Sequence, residues 1–183
     1  HARGNYIPCT DADCRPGKDW LKSMLNTLHT GNHKMLSGPV AIENTQDALT
    51  GFQALEFLSL VGSGAGAIGA GRPIMCNGAN LMYEKEAFGQ VNGFEGNKHI
   101  RGGDDIFLLE KFRKTFGPNS IGFARDRRAI VYTTAVSGLG AFINQRFRWV
   151  AKSPAYRDAF MIFTALVVML FNLGIVISLI WGF

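Results

Sequence analysis

The chain has 183 residues, 47% hydrophobic and 18% charged, which excludes a disordered tail and suits one domain with a core, or part of a larger one. Nineteen Lys and Arg against fourteen Asp and Glu leave a formal net charge of +5. That surplus does not by itself imply nucleic acid and is equally compatible with anionic lipid or a phosphorylated substrate. Cys9, Cys14 and Cys76 are odd in number and lack CxxC or Cys/His spacing, so they indicate neither a disulfide framework nor a zinc site. They read as reduced, mostly buried thiols facing the cytosol.

Residues His1 to Tyr6 show no charged-then-apolar signal pattern and no initiator Met, so the chain reads as cut from a longer sequence. Tyr6 to Thr10 predicts a short strand running into Asp11, with Pro8 awkward inside it because proline donates nothing to a ladder. After Pro16 and Gly17 an amphipathic helix follows, with Trp20, Leu21, Met24, Leu25 and Leu28 on one face. A strand is predicted near Gly38 to Ile42 and a second, more apolar helix from about Thr45 to Val61.

Glycines at 62, 64, 66, 69 and 71 resemble a phosphate-binding loop only superficially. They follow a helix rather than a strand and lack the Lys-Ser/Thr ending, so a flexible or closely packed connection is expected. Pro73 to Cys76 predicts a strand, Asn77 to Asn80 a turn, and Tyr83 to Phe88 a helix. A further helix is expected from Asp104 to about Phe116, with Ile106, Leu109 and Phe116 inward. Ala129 to Thr133 then reads as a strand and Ala141 to Lys152 as an amphipathic helix. Alternating strands and helices predict an α/β domain.

From Ala159 to Phe183 no residue is charged and Asn172 is the only strongly polar one. About 20 apolar residues cross the hydrocarbon core, so this run predicts a transmembrane helix. Arg146, Arg148, Lys152 and Arg157 precede it, which by the positive-inside tendency puts the preceding domain in the cytoplasm.

Three constellations carry possible chemistry. Asp11 and Asp13, at i and i+2 on a strand-to-loop edge, suit a hard cation such as Mg²⁺ or Mn²⁺, although turn-forming Asp is a common alternative. Asp104 and Asp105 follow Gly102-Gly103 at a helix N-terminus; they read either as caps or as one cap and one general base facing a cleft. Gln145, Arg148 and Trp149, at i, i+3 and i+4, share a helical face. Together they offer an amide, a forked cation for phosphate oxygens and a plane for a sugar, or else they anchor an interfacial helix.

TDADCRP, GGDD and QRFRW, in this order and ahead of the apolar run, resemble the inverting glycosyltransferase family 2. The nearest likeness is to its membrane-bound bacterial members, including cellulose- and hyaluronan-synthase-like enzymes, and CNGANLMYEKEAFGQVNGF resembles their stretch leading toward the acceptor site. The resemblance covers most of Tyr6 to Trp149. It implies a partial GT-A (nucleotide-diphospho-sugar transferase) fold over residues 1–140, an amphipathic interface helix carrying QxxRW over 141–158, and a C-terminal transmembrane helix over 159–183. It implies that Asp11 and Asp13 hold the metal, Mg²⁺ or Mn²⁺, and the nucleotide diphosphate. Asp105 would be the catalytic base with Asp104 as its acidic partner, Arg148 would lie near the diphosphate and Trp149 near the acceptor, with Gln145 completing the motif.

The implied partners are a nucleotide-diphosphate sugar, a lipid or glycan acceptor and a membrane, with no nucleic acid. The implied location is a bacterial-type inner or plasma membrane with the catalytic part cytoplasmic. The family's nucleotide-binding half precedes its DxD motif, whereas ten residues precede Asp11 here. An alternative expectation is therefore an inactive, membrane-tethered fragment lacking the donor-binding half. A metal-dependent nucleotidyl- or phosphotransferase would use the same acids but gives no role to Gln145, Arg148 and Trp149.

Overall fold

The computed structural model describes residues 3–43, 45–96 and 103–150, and single helical positions at 162, 163, 166, 167, 170, 177 and 181. The elements run β1 (Tyr6–Cys9), β2 (Arg15–Pro16), α1 (Trp20–Thr30), β3 (Met35–Ser37), β4 (Val40–Glu43), α2 (Ala48–Gly69), β5 (Leu81–Glu84), α3 (Lys85–Gln90), α4 (Asp104–Phe116), β6 (Ile121–Phe123), β7 (Val131–Thr134) and α5 (Leu139–Val150). They build two sheets, one ordered β1-β5-β3-β6 and a smaller one ordered β2-β7-β4. The alternation of strands and helices expected from sequence is present.

Period-2 patterning explains the central strands. Met35, Leu81, Tyr83 and Ile121 point to one side of the larger sheet, where Leu108, Leu109 and Phe112 of α4 cover them. Leu36 and Met82 point to the other side and pack with Trp20, Met24 and Leu28 of α1. The sheet is thus sandwiched between helices, with both faces buried.

Tertiary packing overrides several local expectations. Leu21 is 47% exposed, so the buried stripe of α1 is narrower than its sequence suggests. The strand expected at Pro73 to Cys76 makes no ladder. Instead Leu81 to Glu84 becomes the strand and the helix starts at Lys85, because alternate burial of Leu81, Met82 and Tyr83 suits a strand between two others. The short strands β3 and β6, unforeseen in the sequence, complete the sheet as a parallel pair.

α2 does not stop at Val61 but continues through the glycine-rich stretch to Gly69. It opens on a capping box in which Asp47 Oδ1 accepts from the Thr50 N–H at 2.8 Å and Thr50 Oγ1 accepts from the Asp47 N–H at 3.1 Å. Interior glycine costs about 1 kcal/mol relative to alanine. Close packing offsets part of that cost: a Cβ on Gly64 would sit 3.1 Å from Met75 Cγ, and Ile68 is buried in the core. The expected flexible or closely packed connection is instead helix, close-packed at Gly64 and open at Gly62 and Gly66.

Pro8 also finds its explanation. β1 lies at the edge of its sheet among the described residues. The Lys85 N–H donates to the Asn5 carbonyl at 2.8 Å, which makes Asn5 and Lys85 a hydrogen-bonded antiparallel pair. Counting along the register, Pro8, opposite Met82, falls at a position whose backbone faces away from β5. Its missing donor is therefore lost from the side of β1 away from β5 and not from the β1–β5 ladder.

The two sheets share one buried polar residue. Asn80 Nδ2 donates to the carbonyls of Pro39 and Ala129, each at 2.8 Å, and Asn80 Oδ1 accepts from Trp20 Nε1 at 2.9 Å. Its backbone carbonyl accepts from the Gly38 N–H at 2.8 Å. A Cβ on Gly38 would approach the Asn80 amide to 2.4 Å, so glycine is the residue that fits against it.

Candidate functional site

The site is built at the end of the larger sheet where β1 stops. Cys9, the last residue of β1, pairs with Leu81, the first of β5. The 3-10 turn Gly78–Asn80 leads directly into β5, so it lies beside the start of the Asp11-Ala12-Asp13 segment. Asp11 and Asp13 are exposed, and their carboxylate oxygens lie within 4.8 Å of one another and of Cys14 Sγ. The turn is tied by the Cys14 N–H donating to the Asp11 carbonyl at 3.1 Å, which is the geometry the turn-forming alternative anticipates.

Beyond the motif, Arg15 and Pro16 pair with Tyr132 and Val131 of β7. β7 runs parallel to β4, so the C-terminal ends of both strands lie at this same edge, with α2 and α5 following them. Thr133 reaches Cys14 with its side chain, and Arg15 forms an ion pair with Glu43 at the end of β4. Burial, and then the charges of Asp13 and Asp11, push the Cys14 thiol upward. Two exposed carboxylates at this spacing suit a hard, oxygen-seeking divalent cation, so the residues present fit the Mg²⁺ or Mn²⁺ implied by the motif.

Asp105 approaches from the other side. α4 begins at Asp104 after Gly103, which has φ 78° and occupies the left-handed region that favours glycine. Neither aspartate is the N-cap residue; both stand in the first helical turn, where negative charge complements the helix dipole. Asp104 is exposed and Asp105 half-buried. Asp105 Oδ1 accepts from the Ile106 N–H and Oδ2 accepts from the Gly78 N–H, both at 3.0 Å. No side chain caps α4, so the capping reading of these acids does not hold; both Asp105 oxygens instead accept from backbone N–H groups, one inside the helix and one in the turn before β5. A Cβ on Gly78 would lie 3.4 Å from Oδ2, so glycine lets the turn approach the carboxylate closely. Cys76 donates its thiol to the Asp105 carbonyl at 3.4 Å, and burial, followed by the Asp105 charge, pushes that thiol well above its usual range.

The third element is α5. Gln145 and Trp149 are half-buried and lean toward α2, while Arg148 is exposed. Trp149 lies 6.2 Å from the ring of Phe57, and Phe142 6.0 Å from Phe52. The segment before α5 is clasped by Gln53, whose Nε2 donates to the Val136 carbonyl at 3.0 Å and whose Oε1 accepts from the Val136 N–H at 3.1 Å. The sequence marks Arg146 only as a basic residue before the apolar run and Asn80 only as part of a turn, and gives Gln53 and Glu56 no role. Burial marks Asn80 and Gln53, and pairing marks Glu56 and Arg146; neither is visible in one sequence. The cysteines are free, as expected, but half-buried rather than mostly buried.

Residues 6–183 match the family model for glycosyl transferase family group 2, and the chain belongs to that family. It is a glycosyltransferase domain of mixed α/β architecture. A comparison with curated proteins gives no match. Among the described residues, no helix is long and apolar enough to cross a membrane. The span expected over 159–183 lies outside the described residues except for the single positions given above, where Ile162, Phe163, Leu166, Val167, Leu170, Ile177 and Trp181 are helical and exposed.

Proposed function

We propose that the chain supplies the catalytic base, metal-binding and acceptor elements of an inverting sugar transfer from a nucleotide-diphosphate sugar to a lipid or glycan acceptor. The reading places this partial GT-A unit at the cytoplasmic face of a membrane, anchored by the apolar run 159–183. The observation that carries the catalytic reading is the shared turn: the DxD segment lies beside Gly78–Asn80, and the Asp105 carboxylate is bonded to the Gly78 N–H of the same turn. Acidic segments from two distant parts of the chain are thereby linked through one turn.

In this reading Asp105 removes the proton from the acceptor hydroxyl as that oxygen attacks the anomeric carbon from the face opposite the leaving group, so the configuration inverts. Asp105 is held in place by its two backbone N–H bonds. Asp104 adds negative charge in the same helical turn, and Arg148 offers a forked cation to the departing nucleoside diphosphate. Trp149 presents a ring against which an acceptor sugar packs, with Gln145 beside it. A divalent cation held between Asp11 and Asp13 supplies charge neutralisation of the diphosphate when bound.

The test is transfer from UDP- and GDP-sugars by the full-length protein in membranes with Mg²⁺ or Mn²⁺, scoring the anomeric configuration of the product. Inverted product supports the reading; retained configuration, or nucleotidyl rather than sugar transfer, overturns it. Protease protection that places Trp149 outside the cytoplasm would overturn the orientation.

A further inference from the structure

One guanidinium touches two of the three residues of the QxxRW element. Arg146 Nε donates to Glu56 Oε1 at 2.9 Å and Oε2 at 3.0 Å, and a terminal nitrogen pairs with the same carboxylate. Its other terminal nitrogen donates to Gln145 Oε1 at 2.6 Å. The guanidinium carbon stands 4.4 Å from the ring centroid of Phe142 and 4.3 Å from that of Trp149. The Arg146 side chain is only 19% exposed. Its partner Glu56 is the only charged residue of α2.

This set of contacts is specific to arginine. A planar fork bonds a carboxylate in its plane while its faces lie on aromatic rings, and it still has a terminal nitrogen for a third partner. A lysine offers a point charge and no plane. Simple docking of α5 on α2 would need neither charge, since Phe52–Phe142 and Phe57–Trp149 already supply apolar contact. The ion pair adds direction. With the Gln145 amide oxygen committed to Arg146, the group that amide offers a substrate is its NH₂, a donor suited to a sugar hydroxyl or phosphate oxygen. The Trp149 ring likewise lies against Arg146, with the Phe57 ring tilted at 6.2 Å.

We infer that Glu56 and Arg146 are positioning residues that set the Gln145 amide and the Trp149 ring for the acceptor sugar. The inference rests on the functional reading given above for Gln145 and Trp149. Neither positioning residue touches the substrate; both act through their neighbours.

The experiment uses the full-length enzyme in membranes or detergent, labelled with 5-fluorotryptophan, the Trp149 ¹⁹F resonance being assigned by its loss in Trp149→Phe. Glu56→Gln and Arg146→Lys are each expected to shift that resonance and to raise the acceptor KM about tenfold, with donor hydrolysis in the absence of acceptor unchanged. The exchange Glu56→Arg with Arg146→Glu should recover part of the loss. Gln53→Ala, which loosens the same helix pair away from Arg146, should lower the Tm without moving the acceptor KM. An unmoved Trp149 resonance, or an equal loss of kcat for hydrolysis and transfer, overturns the inference. If Asp105→Asn retains transfer, the functional reading fails by itself, and the ¹⁹F shift still decides whether Glu56 orients Trp149.

Discussion

The Asp105 carboxylate and the Gly78 backbone N–H are hydrogen-bonded at 3.0 Å across 27 positions of sequence. This bond fastens the first turn of α4 to the turn entering β5, which lies beside the end of β1.

Asp105→Asn tests the chemistry directly. The single amide oxygen keeps one of the two backbone N–H bonds, its NH₂ meets the other donor, and the amide takes up no proton. Transfer is expected to fall by about 10²- to 10⁴-fold, with the Tm lowered by the loss of about one hydrogen bond. Parallel rate and thermal-melt measurements check this; intact transfer would remove Asp105 from the role of base.

Asp11→Asn with Asp13→Asn should weaken Mn²⁺ binding by at least about tenfold, read by the EPR signal of free Mn²⁺ during titration. Cys14→Ser should leave Mn²⁺ binding in place, because a hard cation draws on the carboxylates and not on sulfur. Undiminished Mn²⁺ binding by the double variant would sink the metal assignment.

Asn80→Ala strips partners from Trp20 Nε1 and the Ala129 carbonyl, while the Pro39 carbonyl keeps the Val131 N–H at 3.0 Å. Each buried group left unsatisfied costs about 1–3 kcal/mol, so a total loss of at least about 2 kcal/mol is expected in urea denaturation. A loss under about 1 kcal/mol would mean that water replaces the amide.

Acid should loosen the attachment of α1. Asp126 accepts from Ser23 Oγ at 2.9 Å and from the Arg128 N–H and Nε. The Arg128 side chain, then its backbone N–H, hold the carboxyl well below the usual carboxylate range. A lowered folded-state pKa gives stabilisation that is complete above the unfolded value, about 3.9, and is lost as pH falls through the folded one. The Tm of Asp126→Asn should therefore lie below that of the parent at neutral pH, the gap closing as pH falls below about 4. A gap independent of pH would assign the effect to packing.

Legibility from sequence followed the range of the physics involved. The expected bounds of α4, Asp104 to about Phe116, agree with the structure because the preceding Gly102-Gly103 and the helical repeat are local signals. α2 was cut short at Val61 because its glycines argue locally for an end, while the contact between Gly64 and Met75 that favours helix is tertiary. β3 and β6 are three residues each, too short for alternation to register. The motif acids stood out by spacing, but that Asp105 divides its oxygens between Ile106 and Gly78 depends on a turn distant in sequence. Glu56 and Arg146 were illegible for the same reason: charges 90 positions apart carry no mark of their pairing.

Pro8 has a consequence for what can pair along β1. Its backbone faces away from β5 midway along the strand, so any strand laid on that side, from this chain or another, must forgo one rung. Pairing there rewards only a partner with enough other contact to make up the missing bond, and Pro8 thereby favours side-chain fit over backbone pairing alone.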